Sequence, residues 1–141
     1  MAVVTYKTDL VDVNWTEIKA KVQADDFDNG RTPVQLEASF RNSGATVIAY
    51  AGAEIVGKAR ALTDGVCNAY VVDVWTYRPY RGQGIAKAMM EHLLAQLPGQ
   101  HVYLFTDSAK GLYEKVGFQA HGIGMGRVVG EWLVNEPSTD H

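Results

Sequence analysis

The chain has 141 residues, 47% of them hydrophobic, which is enough for one domain with a real core and implies no second domain. Its formal charge is −3, with no block of basic residues, so it lacks the electrostatic footprint of a nucleic-acid binder. The single cysteine, Cys67, excludes an internal disulfide, no apolar run reaches the roughly eighteen residues of a membrane span, and the start Met1-Ala2-Val3-Val4-Thr5 has no targeting pattern, so a cytoplasmic location is expected.

In chain order, residues 3–6 read as a short strand. Asn14-Trp15-Thr16-Glu17 then makes a capping-box start for a helix whose buried stripe is Trp15, Ile18 and Val22. The acidic turn Asp25-Asp26-Phe27-Asp28-Asn29-Gly30 follows; it either attracts a cationic ligand or is a solvated helix end, and its spacing does not fit a calcium loop. Thr32-Pro33-Val34-Gln35 opens a second helix, with an N-cap, a proline at the first position and a glutamine reaching back. Leu36 and Phe40 face the core, and the helix stops near Asn42-Ser43-Gly44. Residues 46–50 and 54–62 read as a hairpin around Ala51-Gly52-Ala53, and Thr63-Asp64-Gly65 turns the chain toward a central strand at 69–76. Simple alternation places Asp73 on one face of that strand with Val71 and Trp75, opposite Tyr70, Val72 and Val74. A helix follows in which Ile85, Met89, Leu93 and Leu97 recur at helical spacing, ended by Pro98-Gly99. A strand at 102–105, a helix around Tyr113 and a glycine-spaced strand pair between 119 and 134 complete the expected domain, 1–135, with 136–141 as a frayed tail.

The segment Arg81-Gly82-Gln83-Gly84-Ile85-Ala86 lies between the central strand and the helix, where unpaired N–H groups and the positive end of the helix dipole favour an anion. This is a phosphate cradle, but not that of a nucleotide hydrolase, since Ile85 follows Gly84 where Lys is needed. Nor is it a dinucleotide fingerprint: Lys87 replaces the third small residue, and no acidic strand end follows about twenty residues on. The four histidines are scattered without the spacing of a metal site, and no metal is expected.

Arg81-x-x-Gly84-x-Ala86 directly after a strand resembles the acetyl-CoA signature of the GNAT N-acetyltransferase superfamily. Ala109-Lys110-Gly111-Leu112-Tyr113-Glu114-Lys115-Val116-Gly117-Phe118 resembles that family's later helix, which carries an acid tyrosine and ends in Gly-Phe. The resemblance implies a mixed-sheet α/β (α+β) fold in the order β-α-α-β-β-β-α-β-α-β-β, with splayed central strands. It implies that the main chain of Val74, Trp75 and Thr76 hydrogen-bonds pantetheine, and that Arg81, Gly82, Gln83, Gly84, Ile85, Ala86 and Lys87 hold the pyrophosphate. Acetyl-CoA is then the co-substrate and a primary amine, on a small molecule or a peptide, the acceptor, with direct attack in a ternary complex by a monomer or a homodimer. Two departures stand out: Pro79 lies one place later than usual, and Thr106-Asp107-Ser108 replaces an asparagine at the start of the tyrosine helix. The combination of Asp73, Leu104-Phe105-Thr106-Asp107-Ser108 and Tyr113 is similar to a plastid and cyanobacterial subgroup that includes arylalkylamine and protein lysine acetyltransferases.

Transfer to an amine needs a neutral nucleophile, a polarised thioester carbonyl and a proton for the departing thiolate. Tyr113 is the acid candidate, because a phenol keeps its proton at neutral pH; its alternative is a half-buried packing residue. A backbone N–H near Trp75 can polarise the carbonyl. Asp73 lies in an otherwise apolar strand, either as a base with a raised pKa or as a carboxylate anchoring a loop or an arginine. Trp75, Tyr77 and Tyr80 either pave an acceptor pocket or simply pack. The same fold used as a non-catalytic CoA-binding module is the alternative function.

Overall fold

The computed structural model describes residues 3–135. Val4–Lys7 (β1), Ala45–Ala51 (β2), Glu54–Thr63 (β3) and Asn68–Thr76 (β4) pair antiparallel in sequence order, and His101–Tyr103 (β5) joins β4 in parallel. Trp15–Ala24 (α1) and Pro33–Arg41 (α2) cover one face of this sheet, while Ile85–Leu94 (α3) and Lys110–Lys115 (α4) cover the other.

The helix starts follow from local chemistry. Thr32 and Gln35 close a full capping box on α2, with Pro33 beside the cap. Asn14 accepts from the Glu17 N–H at 2.9 Å, but Glu17 does not reach back to complete a box. Its carboxylate instead accepts from the Ile55 N–H at 2.8 Å and from Lys21 at 2.8 Å, tying α1 to β3.

Two apolar layers result. On the α1/α2 side Trp15, Ile18, Val22, Leu36 and Phe40 pack on Ile48, Ile55 and Trp75. On the other, Ile85, Met89, Met90, Leu93 and Tyr113 pack on a sheet surface rich in alanine and valine. Small residues let α3 sit close: a Cβ on Gly57 would lie 2.9 Å from the Met89 sulfur and 3.2 Å from the Trp75 carbonyl oxygen. Full burial of each large side chain contributes about 1.5–3 kcal/mol, so these layers dominate stability.

The central strand is not regular. Lys58 pairs with Trp75 and Arg60 with Val72, so Asp73 and Val74 together oppose Ala59 alone. Asp73 takes a φ of 64°, a left-handed conformation that aspartate tolerates better than most residues. This β-bulge inserts one residue and switches faces, so the expected shared face of Val71, Asp73 and Trp75 does not form. Val71 and Val74 pack on the α3/α4 side, whereas Trp75 lies in the α1/α2 layer.

Parallel pairing of β4 with β5 covers only Asn68↔His101, Ala69↔Val102 and Tyr70↔Tyr103. Beyond Tyr70 the two strands part, and the outer edge of β4 from residue 71 to 76 has no strand partner among the described residues. The splay expected of the fold is present. The order of elements follows expectation through α4, but the strand pair anticipated between residues 119 and 134 is absent, the chain there being irregular. Gly122, Gly130 and Leu133 have φ values of 65°, 68° and 60°, which break an extended run, and Ile123, Met125 and Val129 are 79–90% exposed. The expected tail at 136–141 lies outside the described residues.

Candidate active site

The parting of β4 from β5 opens a cleft of about 580 Å³ lined by Val74, Trp75 and Thr76 from β4, by Tyr80, Arg81, Gly82 and Gly84 after it, by the first residues of α3, Ile85 to Lys87, and by Ser108, Ala109, Leu112 and Tyr113. The loop's geometry is set by glycine: Gly82 and Gly84 have φ values of 80° and 79°, and Gly84 forms the N-cap of α3 with no side-chain cap. The first N–H groups of α3 are therefore left to a ligand or solvent. A Cβ added at either glycine meets no protein atom within 4 Å, so the space beside the backbone belongs to the cleft. Pro79, the out-of-place proline, sits in a 3-10 turn, Arg78–Tyr80, that carries the chain from β4 to the cradle. Gln83 stands between the two glycines without appearing in the cleft lining, while Ile85 is 2% exposed and anchors the helix start in the core.

Arg81 is held back from the cradle. Its Nε donates to the Thr76 carbonyl at 3.0 Å and its Nη2 lies 3.7 Å from Asp25. Lys87 pairs with Glu91 at 3.0 Å on the helix surface. Thr76 Oγ1 is the one buried side-chain polar atom without a partner among the described residues, and Thr76 is one of the cleft-lining residues. Buried hydroxyls left unpaired are costly, so this atom together with the open β4 edge fits an elongated ligand with hydrogen-bonding groups, as pantetheine phosphate is. No group of three or more metal-ligating side chains converges among the described residues.

Tyr113 projects from α4 into the same cleft, 9% exposed, with Phe118 edge-on to its ring at 6.1 Å. Burial pushes its pKa above the usual phenol value, which keeps the proton in place across neutral and mildly alkaline pH.

Asp73 does not face the cleft as a free base. Arg31 grips it with both Nη atoms at 2.6 and 3.2 Å, Lys58 donates at 3.1 Å, and Arg60 Nε donates to its other oxygen. Burial raises the Asp73 pKa, but the charges and hydrogen bonds of Lys58, Arg31 and Arg60 outweigh it and hold the carboxyl well below the usual range. A carboxylate so held is a poor proton acceptor near neutrality, and the geometry matches the anchoring alternative.

The acidic turn divides by function. Asp25 is buried and accepts from Trp75 Nε1 at 3.0 Å and from the Arg78 N–H at 2.8 Å. Asp28 pairs with Lys19 at 2.7 Å. Those two charges are therefore spent on the protein itself. Trp75 is 1% exposed and Tyr80 donates to Glu54 at 2.8 Å, so packing accounts for both, although each borders the cleft.

Sequence reasoning missed Arg31, Lys58, Arg60 and the role of Asp25. A signal was present for two of them: Lys58 and Arg60 alternate in phase within an apolar strand, where a cation needs a partner. Trp132 was missed as well; its Nε1 donates to the Asn29 carbonyl at 2.9 Å, tying the segment after α4 to the loop that carries Arg31.

Comparison with known proteins gives a consistent picture. The model of the Acetyltransferase (GNAT) family matches residues 9–118. The GCN5-related N-acetyltransferase 2, chloroplastic, of Arabidopsis thaliana is 36% identical over 76 residues, 51% of this chain and 30% of that protein. The serotonin N-acetyltransferase 2, chloroplastic, of Oryza sativa subsp. japonica is 35% identical over 89 residues, 60% of this chain and 40% of that protein. These matches thus span less than half the length of the curated relatives. A solved GNAT-family acetyltransferase from Streptococcus pneumoniae TIGR4 superposes with a TM-score of 0.76 at 26% identity, covering 92% of this chain and 100% of its own.

Proposed function

This chain belongs to the GNAT acetyltransferase family, and from that premise we propose that it transfers acetyl from acetyl-CoA to a primary amine, of a small molecule or of a lysine or N-terminus, by direct attack in a ternary complex. The observation that carries the reading is the convergence in one cleft of an uncapped helix start behind two left-handed glycines, the orphaned Thr76 hydroxyl and the buried Tyr113.

On this reading Gly82, Gln83, Gly84, Ile85, Ala86 and Lys87 hold the pyrophosphate, joined by Arg81 once it turns from Thr76. The unpaired edge of Val74, Trp75 and Thr76 takes the pantetheine arm as an added strand would, because buried main-chain groups need partners. Acetyl-CoA supplies the activated acetyl group. Tyr113 holds a proton at the end of the cleft and donates it to the departing sulfur, and a β4 amide beside the bulge polarises the carbonyl. Asp73 is a positioning residue: it fixes the bulge that aims those amides and takes no proton itself. The amine loses its proton to water.

Screening a panel of amines and peptides with detection of free CoA thiol tests this. Thiol release that depends on both acetyl-CoA and an amine is expected. Acetyl-CoA binding without turnover on any acceptor would instead identify the non-catalytic CoA-binding module.

A further inference from the structure

Three cations converge on one carboxylate, Asp73, which does not itself line the cleft but whose chain neighbour Val74 does. The side chains of Lys58, Arg31 and Arg60 are 1%, 8% and 14% exposed, and their common ion-pair partner, Asp73, is 7% exposed. No other carboxylate among the described residues lies within ion-pairing distance of any of the three. The site therefore holds two positive charges more than it neutralises, in a place where an uncompensated charge is costly. Proton loss cannot repair this. Burial pushes Lys58 down to about 8, against the pull of Asp73, yet with Lys58 neutral two guanidiniums still share one carboxylate. Neither guanidinium can be deprotonated.

Arg60 is the cation of the three that a ligand can reach: it spends Nε on Asp73 and Nη1 on Ser43 Oγ at 3.3 Å, while its Nη2 has no acceptor among the described residues and is not fully buried. Position relates this surplus to the reaction. Asp73 immediately precedes Val74, Trp75 and Thr76, which line the cleft, and Phe27 borders the cleft while its ring lies 5.2 Å from Lys58 Nζ.

We propose that Arg31, Lys58 and Arg60 form an anion site that takes a carboxylate or phosphate group carried by the acceptor, so that the acceptor is an anionic amine and not a plain alkylamine. The assignment of the anion to the acceptor rests on the transferase reading above; the anion site itself does not. The site explains why so much positive charge is buried beside a cleft whose donor half already has its own cradle.

The experiment has two arms. In the first, the Arg31 and Arg60 Nε–H signals are followed by nuclear magnetic resonance as the full chain is titrated with inorganic phosphate or propionate at constant ionic strength, with chloride as the reference. Saturable shifts of both signals are expected, and in Arg60→Gln the remaining Arg31 signal should report an affinity weakened about tenfold or more, the worth of one charge-assisted hydrogen bond. The ion giving the tighter binding separates a phosphate-bearing acceptor from a carboxylate-bearing one. In the second arm, amino acids are compared with their methyl esters, and phosphoethanolamine with ethanolamine, as acetyl acceptors. The anionic member of each pair is expected to have a kcat/KM about tenfold or more higher, and Arg60→Gln to collapse that ratio through the KM of the anionic member, the ratio within one variant cancelling any general loss from the altered Asp73 contact. Absence of shifts with either ion up to about 0.15 M, or equal use of charged and neutral members, overturns the proposal. Shifts without acetylation of any amine support the anion site and remove the transferase reading.

Discussion

Replacing Asp73 by asparagine separates a counter-ion from a base, because the amide keeps the size of the carboxyl and tolerates the φ of 64° that the bulge demands. What changes is charge: three cations, the most exposed of them at 14%, lose their shared partner. Removing one member of a buried ion pair costs about 3–5 kcal/mol, a large share of the roughly 5–15 kcal/mol that holds a domain folded. With a urea slope of about 1–3 kcal/mol per molar, the unfolding midpoint should fall by about 2 M. The pH dependence has a definite sign. The folded carboxyl sits below its ordinary value of about 3.9, so its stabilisation is complete above that value and is lost as pH falls toward the folded pKa. Urea curves read by tryptophan fluorescence should therefore show wild type and Asp73→Asn far apart at pH 7 and converging in strong acid. If the variant instead keeps the wild-type midpoint at pH 7 and loses turnover per folded molecule, Asp73 is the base and the counter-ion argument fails.

Tyr113→Phe should lower kcat by about a hundredfold or more while leaving acetyl-CoA affinity within a factor of two, as calorimetry beside steady-state kinetics would show. Because burial raises the Tyr113 pKa, any alkaline fall in kcat should begin above the ordinary phenol value of about 10, and that limb should vanish in Tyr113→Phe. Gly84→Val places a branched side chain at a φ of 79° and fills space beside the cradle; acetyl-CoA affinity should drop by about tenfold or more, and an unchanged dissociation constant would remove the cradle assignment. Burial outweighs ion pairing at Lys58, so Lys58→Met should leave stability at pH 7 unchanged or raised by about 1–3 kcal/mol. The unfolded state binds the extra proton between about 8 and the ordinary 10.5, so wild-type stability should gain from Lys58 as pH rises through that window, and the variant should lack that gain.

The parts legible in the sequence were those encoded locally. The cradle announces itself because only glycine occupies the left-handed positions at 82 and 84 cheaply, and the α2 cap because Thr32, Pro33 and Gln35 act within one turn. The Asp73 cluster was not legible in the same way. Its partners lie 13, 15 and 42 residues away in sequence, and the bulge that aims Asp73 at them breaks the alternation on which a face assignment depends. The segment from 119 to 134 failed in the opposite direction: its apolar residues alternate, but positive φ at Gly122 and Gly130 interrupts the extension and the three-residue β5 offers little edge to pair with.

Asp25 has a consequence for the order of events. The same carboxylate caps the indole of Trp75, receives the N–H of Arg78 at the entrance to the cradle and sits 3.7 Å from the Arg81 guanidinium, while its own backbone ends α1. Any swing of Arg81 toward a phosphate withdraws positive charge from Asp25, and the loop from Asp25 to Arg31 is the element that brings Arg31 to Asp73. On the proposed reading the loop from Asp25 to Arg31 links the donor cradle to the Arg31 site, so occupancy of the first should be felt in the affinity of the second, with an equal effect in the reverse direction.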